Sequence, residues 1–148
     1  MFKLFTQLSK DEKINFFLKI QELLIKHHPK SGFIIRENNV NTFVDSLINW
    51  YFNYKGYCVN EDNFCLLFNK ILIEKTEFSQ LKNVLFNPPN KNANCLFIDF
   101  VVSKKIKSCL EFFKSQVTIN LKWVIYIRNN KINQYDVQKL SAFLSQSL

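Results

Sequence analysis

The sequence predicts a mixed α/β fold: a mixed sheet with helices on both faces, organised around a strand–helix–strand unit at residues 95–127. Three observations carry this expectation. The run Cys95-Leu96-Phe97-Ile98-Asp99-Phe100-Val101-Val102 is apolar at all but one position, as a strand covered on both faces is. Lys104 to Gln116 then places Ile106, Leu110 and Phe113 at helical spacing, with Lys105, Lys107 and Glu111 at other angles. Trp123 to Ile127 is a second continuous apolar run, which completes a strand, a crossover helix and a parallel strand.

The remaining elements follow from local chemistry. Ser9-Lys10-Asp11-Glu12 has the form of a capping box opening a first helix. Ile14, Phe17, Leu18, Leu24 and Ile25 give that helix its apolar side, and Pro29 and Gly32 are expected to end it. Phe33 to Ile35 reads as a brief strand or a loop anchor. A second helix is expected from Asn41 or Thr42, with Phe43, Leu47, Trp50, Tyr51 and Tyr54 on its apolar side and Gly56 as its stop. Tyr57–Val59 and Phe64–Phe68 flank four polar residues and read as an antiparallel hairpin. Weak helical spacing covers Glu77 to Leu85, and Asn87-Pro88-Pro89-Asn90-Lys91-Asn92 is a loop. After the central unit, Asn129-Asn130-Lys131 turns the chain into a last strand, Ile132–Tyr135, and Asp136 is placed to cap a final helix.

A chain of 148 residues is expected to make a single domain, 1–148, large enough to bury a real core. Sixteen phenylalanines exclude a disordered chain, while two glycines leave little material for a glycine-rich phosphate loop. The abundance of Lys, Asn, Ile and Phe is that of an AT-rich genome. A net charge of +8 suits a polyanionic partner such as nucleic acid, although the lysines are spread along the chain. Cys58, Cys65, Cys95 and Cys109 form no close pair of the kind zinc sites use, so buried thiols in a reducing compartment and no metal are expected. No apolar run approaches the ~18 residues of a membrane span, and no signal peptide is legible at the amino terminus. A soluble, cytoplasmic protein, or one carried in a virion, is the expectation.

This order of elements resembles the GCN5-related acetyltransferase (GNAT) fold, in which two early helices precede an antiparallel meander, a central strand, a helix and a further strand. The likeness is sharpest at Cys95–Val102, which resembles that family's fourth strand. It is closest to the toxin-activating lysine acyltransferases, with their Ile-Asp-aromatic step, and to small phage-encoded acetyltransferase-like proteins. The resemblance implies a site at Asp99 and an acyl carrier as a partner. It also marks departures. Acetyl-coenzyme A users follow this strand with a glycine-containing loop whose amides hold the pyrophosphate. Here the residues are Val102-Ser103-Lys104-Lys105-Ile106-Lys107, without glycine, so no cofactor is expected. The toxin activators pair their strand Asp with a histidine near the start of the second helix. In this chain Arg36 to Thr42 contains none, and the histidines are His27 and His28.

Several functions stand side by side on this reading. The first is an acyltransferase-like protein of phage or mobile-element origin that acts by binding, as a structural or host-interaction protein. The second is an active acyltransferase with an unusual donor and Asp99 as its catalytic residue; if His28 meets it, the carboxylate orients and charge-stabilises the imidazole as a general base. Otherwise Asp99 pairs with a lysine, Arg128 or backbone amides, because an unpaired buried carboxylate is costly. The third is a basic nucleic-acid-binding, ribosomal or virion protein. In it Lys104, Lys105 and Lys107 would contact phosphates, Lys114, Lys122, Arg128 and Lys131 would extend the positive face, and exposed aromatics would be needed for base stacking.

Overall fold

The computed structural model describes residues 2–31, 37–75, 77–81, 84–103, 108, 111–112, 121–128 and 131–136. Its centre is a six-stranded mixed sheet in which the strands lie in sequence order. The strands are β1 (Phe2–Leu4), β2 (Tyr57–Asn60), β3 (Phe64–Ile71), β4 (Cys95–Ser103), β5 (Trp123–Arg128) and β6 (Lys131–Asp136). Neighbours are antiparallel except β4 and β5, which run parallel over Cys95–Ile98 and Trp123–Tyr126. The α/β class and the parallel pair at the heart of the predicted unit are therefore present. The predicted crossover helix falls largely outside the described residues, within which Ser108, Glu111 and Phe112 are helical. The brief strand or anchor at Phe33–Ile35 and the final helix after Asp136 also lie outside them.

Two helices, α1 (Lys10–Ser31) and α2 (Glu37–Tyr51), connect β1 to β2. The capping box forms as expected: the Ser9 amide donates to Glu12 Oε1 at 3.1 Å, and the Glu12 amide donates to Ser9 Oγ at 3.2 Å. Ser9→Ala is expected to lower the unfolding free energy by about 1 kcal/mol, read as a fall in the urea midpoint at unchanged slope. The helix continues through Pro29, one of its two expected stops, to Ser31, the residue before Gly32, the other. A proline in the last turn removes one hydrogen bond and need not end the helix.

Phe16, Phe17, Ile20, Leu23 and Leu24 are buried, whereas Leu18 and Ile25 face solvent. Each fully buried Phe or Leu side chain contributes about 1.5–3 kcal/mol of transfer free energy. α2 starts several residues before Asn41 and buries Val40, Val44 and Leu47. Phe43 and Trp50, read from sequence as core, are exposed, Trp50 by 70%. Their helical angle lies beside the buried stripe, and the periodicity alone does not say where the stripe ends.

The helices cover one face of the sheet. There Phe5, Phe16, Phe17, Tyr54, Cys65, Leu67 and Val102 share a core. Farther along the same face, Ile73, Leu81 and Val84 from the β3–β4 connection cover Cys95, Phe97 and Ile125. That connection contains a short helix, α3 (Phe78–Leu81), and a 3-10 turn at Val84–Phe86. The opposite face joins Val59, Leu66, Phe68, Leu96 and Val124, with Phe112 packed on Phe64 and Phe68. With Phe112 helical on one side and α1 and α2 on the other, helical residues cover both faces of the sheet. β3 is buried along almost its whole length.

Two asparagines hold the sheet's connections. Asn69 is fully buried; its amide donates to the carbonyls of Val84 and Asn87 at 3.3 and 3.1 Å and accepts from the Lys70 amide at 2.9 Å. Asn94 prolongs the β3–β4 ladder, accepting from the Ile73 amide at 3.0 Å and donating to the Ile73 carbonyl at 2.9 Å. Its own carbonyl accepts from the Lys122 and Trp123 amides at 2.8 and 3.1 Å, which aligns the start of β5 with the start of β4. β1 was not expected from sequence. It pairs with β2 at the edge of the sheet and its three residues are too few to show a period.

Candidate functional site

Asp99 lies at an irregularity in β4. Leu67 pairs with Phe100 and Phe68 with Ile98, so Asp99 is an extra residue with no partner on β3. This is a β-bulge, and it resets the alternation of side chains along the strand. Phe97 faces the helical side, Ile98 the other, and then both Asp99 and Phe100 turn back to the helices. The Phe100 ring meets Phe43 and Tyr51 at centroid distances of 6.3 and 6.4 Å.

The Asp99 carboxylate accepts a hydrogen bond from the hydroxyl of Tyr54. The Tyr51 hydroxyl approaches the Asp99 carbonyl at 3.5 Å, the outer limit of such a bond. Tyr54 is delivered by the chain just past α2, where its amide bonds to the Tyr51 carbonyl at 2.9 Å. Gly56 makes room for it: a Cβ there would stand 2.6 Å from Tyr54 Oη and 2.7 Å from the Phe68 carbonyl. The Gly56 carbonyl accepts from the Phe5 amide at 2.9 Å, which ties this corner to the start of the chain.

Burial pushes the Asp99 carboxyl up from 3.8 to about 7, against the hydrogen bond from Tyr54, which pulls it down. Burial, followed by the Asp99 charge, pushes Tyr51 up to about 12 and drives Tyr54 higher still. Near neutral pH the pair therefore consists of a tyrosine that keeps its proton and a carboxyl divided between its protonated and charged forms. A group poised in this way can accept a proton from a bound amine or alcohol. The carboxyl's described partner is a tyrosine hydroxyl, where sequence offered a lysine, Arg128, backbone amides or His28. The side chains of His27, His28 and Arg128 lie outside the described residues, as do Lys104, Lys105, Lys107 and Lys114.

Sequence reasoning placed Tyr54 and Tyr51 in an apolar stripe and missed the pair they form with Asp99. The signal was available. A tyrosine in a buried stripe needs a partner for its hydroxyl, and Asp99 was the one carboxylate in an otherwise apolar strand.

Beside the bulge, β4 and β5 part. Their ladder ends at Ile98 and Tyr126 although both strands run on, to Ser103 and Arg128. Among the described residues no strand pairs with Phe100–Val102 on the β5 side. A separate concavity of about 400 Å³ lies at the β2–β3 turn, lined by Glu61, Asp62, Glu111 and Phe112, on the face away from the Asp99 carboxyl. Its turn is closed by the Glu61 amide on the Phe64 carbonyl at 3.0 Å.

Cys58, Cys65 and Cys95 are free and buried, and desolvation pushes their thiols up to about 11, 12 and 12. They act as small apolar side chains there. Among the described residues, no three His, Cys, Asp or Glu side chains gather as a metal site would require, and no helix is long and apolar enough to cross a membrane. No protein-family model, no curated protein and no solved structure matches this chain.

Proposed function

We propose that this protein is an acyltransferase-like binding protein whose site is the parting of β4 and β5 at the Asp99 bulge, and that it receives the pantetheine arm of an acyl carrier. The observation that supports this reading is the end of the β4–β5 ladder at Ile98 while β4 continues. An extended chain with regularly spaced amides can continue a ladder that a neighbouring strand leaves. A pantetheine arm is such a chain. Val102–Lys107 lacks the glycines that let a backbone close on a pyrophosphate, which favours a carrier-bound arm over free coenzyme A.

Thermal unfolding of the full chain with an acyl carrier protein, acylated and not, tests the reading. At a 100-fold excess over the dissociation constant, binding stabilises by about 2.7 kcal/mol. For a chain of this size that raises Tm by roughly 5–10 °C. No shift with any acylated carrier overturns it.

A second reading is favoured by the Asp99 carboxyl's position near 7. In it, Asp99 takes the proton of an amine attacking the carrier thioester, and the acyl group passes to that amine while the carrier thiol leaves. Asp99→Asn is then expected to keep the carrier-induced Tm shift and lose turnover. Equal turnover in the variant removes this reading and leaves the binding one.

A further inference from the structure

We propose that the outer β5–β6 ribbon binds single-stranded nucleic acid, with Tyr126 and Tyr135 as a platform on which a base stacks and Lys131 as a phosphate contact. Tyr126 pairs with Asn133 and Val124 with Tyr135, so the two tyrosines are diagonal neighbours on one face of the ribbon. Their rings are stacked, with centroids 5.8 Å apart at 17°, and their hydroxyls are 3.2 Å apart. Diagonal stacking braces two flat side chains in one orientation, and Tyr135 remains 43% exposed. The surface is thus a preformed aromatic step at the edge of a sheet, where ring faces meet bases with little further loss of freedom.

Charge selects the occupant. Lys131, Asn133 and Tyr135 alternate onto the same face of β6, and Lys131 is exposed at the end of the ribbon opposite Arg128. The chain as a whole carries +8, which steers a polyanion toward it. A basic group one or two strand steps from an exposed ring is the arrangement that tracks a phosphate backbone while its bases stack. The ribbon lies on the face opposite the Asp99 carboxyl, and this inference does not rest on acyl-carrier binding.

The test is fluorescence anisotropy of the full chain with labelled oligothymidylate and oligouridylate over a range of salt, without any acyl donor. Its failure and that of the carrier reading are therefore separate results. Binding is expected to weaken as salt rises. Tyr135→Thr, which keeps a β-branched residue in the strand, is expected to raise Kd by roughly 5- to 150-fold, the loss of about 1–3 kcal/mol of stacking. Tyr135→Phe keeps the ring and is expected to bind as the parent does. Lys131→Ala is expected to lower the slope of log Kd against log salt by about 0.7. Thermal melts establish that each variant is folded. Three outcomes overturn the proposal: no binding at low salt, Tyr135→Thr binding like the parent, or β6 self-association in place of oligonucleotide binding.

Discussion

At pH 8, Asp99→Asn is expected to unfold at a higher urea concentration than the parent, and at pH 3 the two are expected to unfold alike. The folded-state carboxyl titrates near 7 and its ordinary value is 3.8, so between those pH values the native state holds a proton that the unfolded state has released. Stability then falls as pH rises, because the native state binds more protons than the unfolded one. The contribution of neutral Asp99 is fully present below its ordinary value and is lost as pH passes through the folded one. The full difference is on the order of 4 kcal/mol. Asparagine keeps an acceptor for the Tyr54 hydroxyl and carries no charge to desolvate. Urea titrations of both proteins from pH 3 to 9 read the effect directly, and parallel curves would refute it.

Gly56→Ala is expected to destabilise the protein by about 1–3 kcal/mol, the usual range for an extra methyl forced into a packed core. Two groups stand in its way: the Tyr54 side chain, with Oη at 2.6 Å and Cζ at 2.8 Å, and the Phe68 carbonyl of β3 at 2.7 Å. The first is a buried side chain held to Asp99 and the second is backbone in the most buried strand, so neither yields freely. Displacing Tyr54 also removes the hydrogen bond that lowers the Asp99 carboxyl, so its titration is expected to move further upward. In a Tyr54→Phe background the nearest obstacle, the hydroxyl, is gone, while the ring Cζ at 2.8 Å and the β3 carbonyl remain. Gly56→Ala is then expected to cost less, with a coupling of about 0.5–3 kcal/mol in a double-mutant cycle. Additive effects would show that Gly56 and Tyr54 do not share one packing constraint.

The elements that local chemistry encodes were legible in the sequence. The Ser9–Glu12 box needs only four consecutive residues, and the β2–β3 hairpin needs two apolar runs with a polar turn between them. The parallel pairing of β4 with β5 follows from two apolar strands separated by a crossover-length segment, which leaves an antiparallel return no short turn to use. Asp99 stood out because it is charged in an apolar strand. Each of these signals lies within a few residues of what it specifies.

Tertiary structure alone decided the rest. Pro29 stays inside α1 and Trp50 stays outside the core, because the limits of a helix and of its buried stripe depend on what packs against it. The three residues of β1 become a strand by pairing with β2, more than fifty positions along the chain. The bulge at Asp99 is a mismatch between two strands and has no meaning for either strand alone. That mismatch turns Asp99 and Phe100 to the same face, brings the carboxyl to Tyr54 and marks where β4 leaves β5. The sequence by itself determined where β2 to β6 lie and that a lone carboxylate interrupts the apolar run of β4. Its partner and its shifted titration arose only on folding, because both depend on burial by residues distant in the chain.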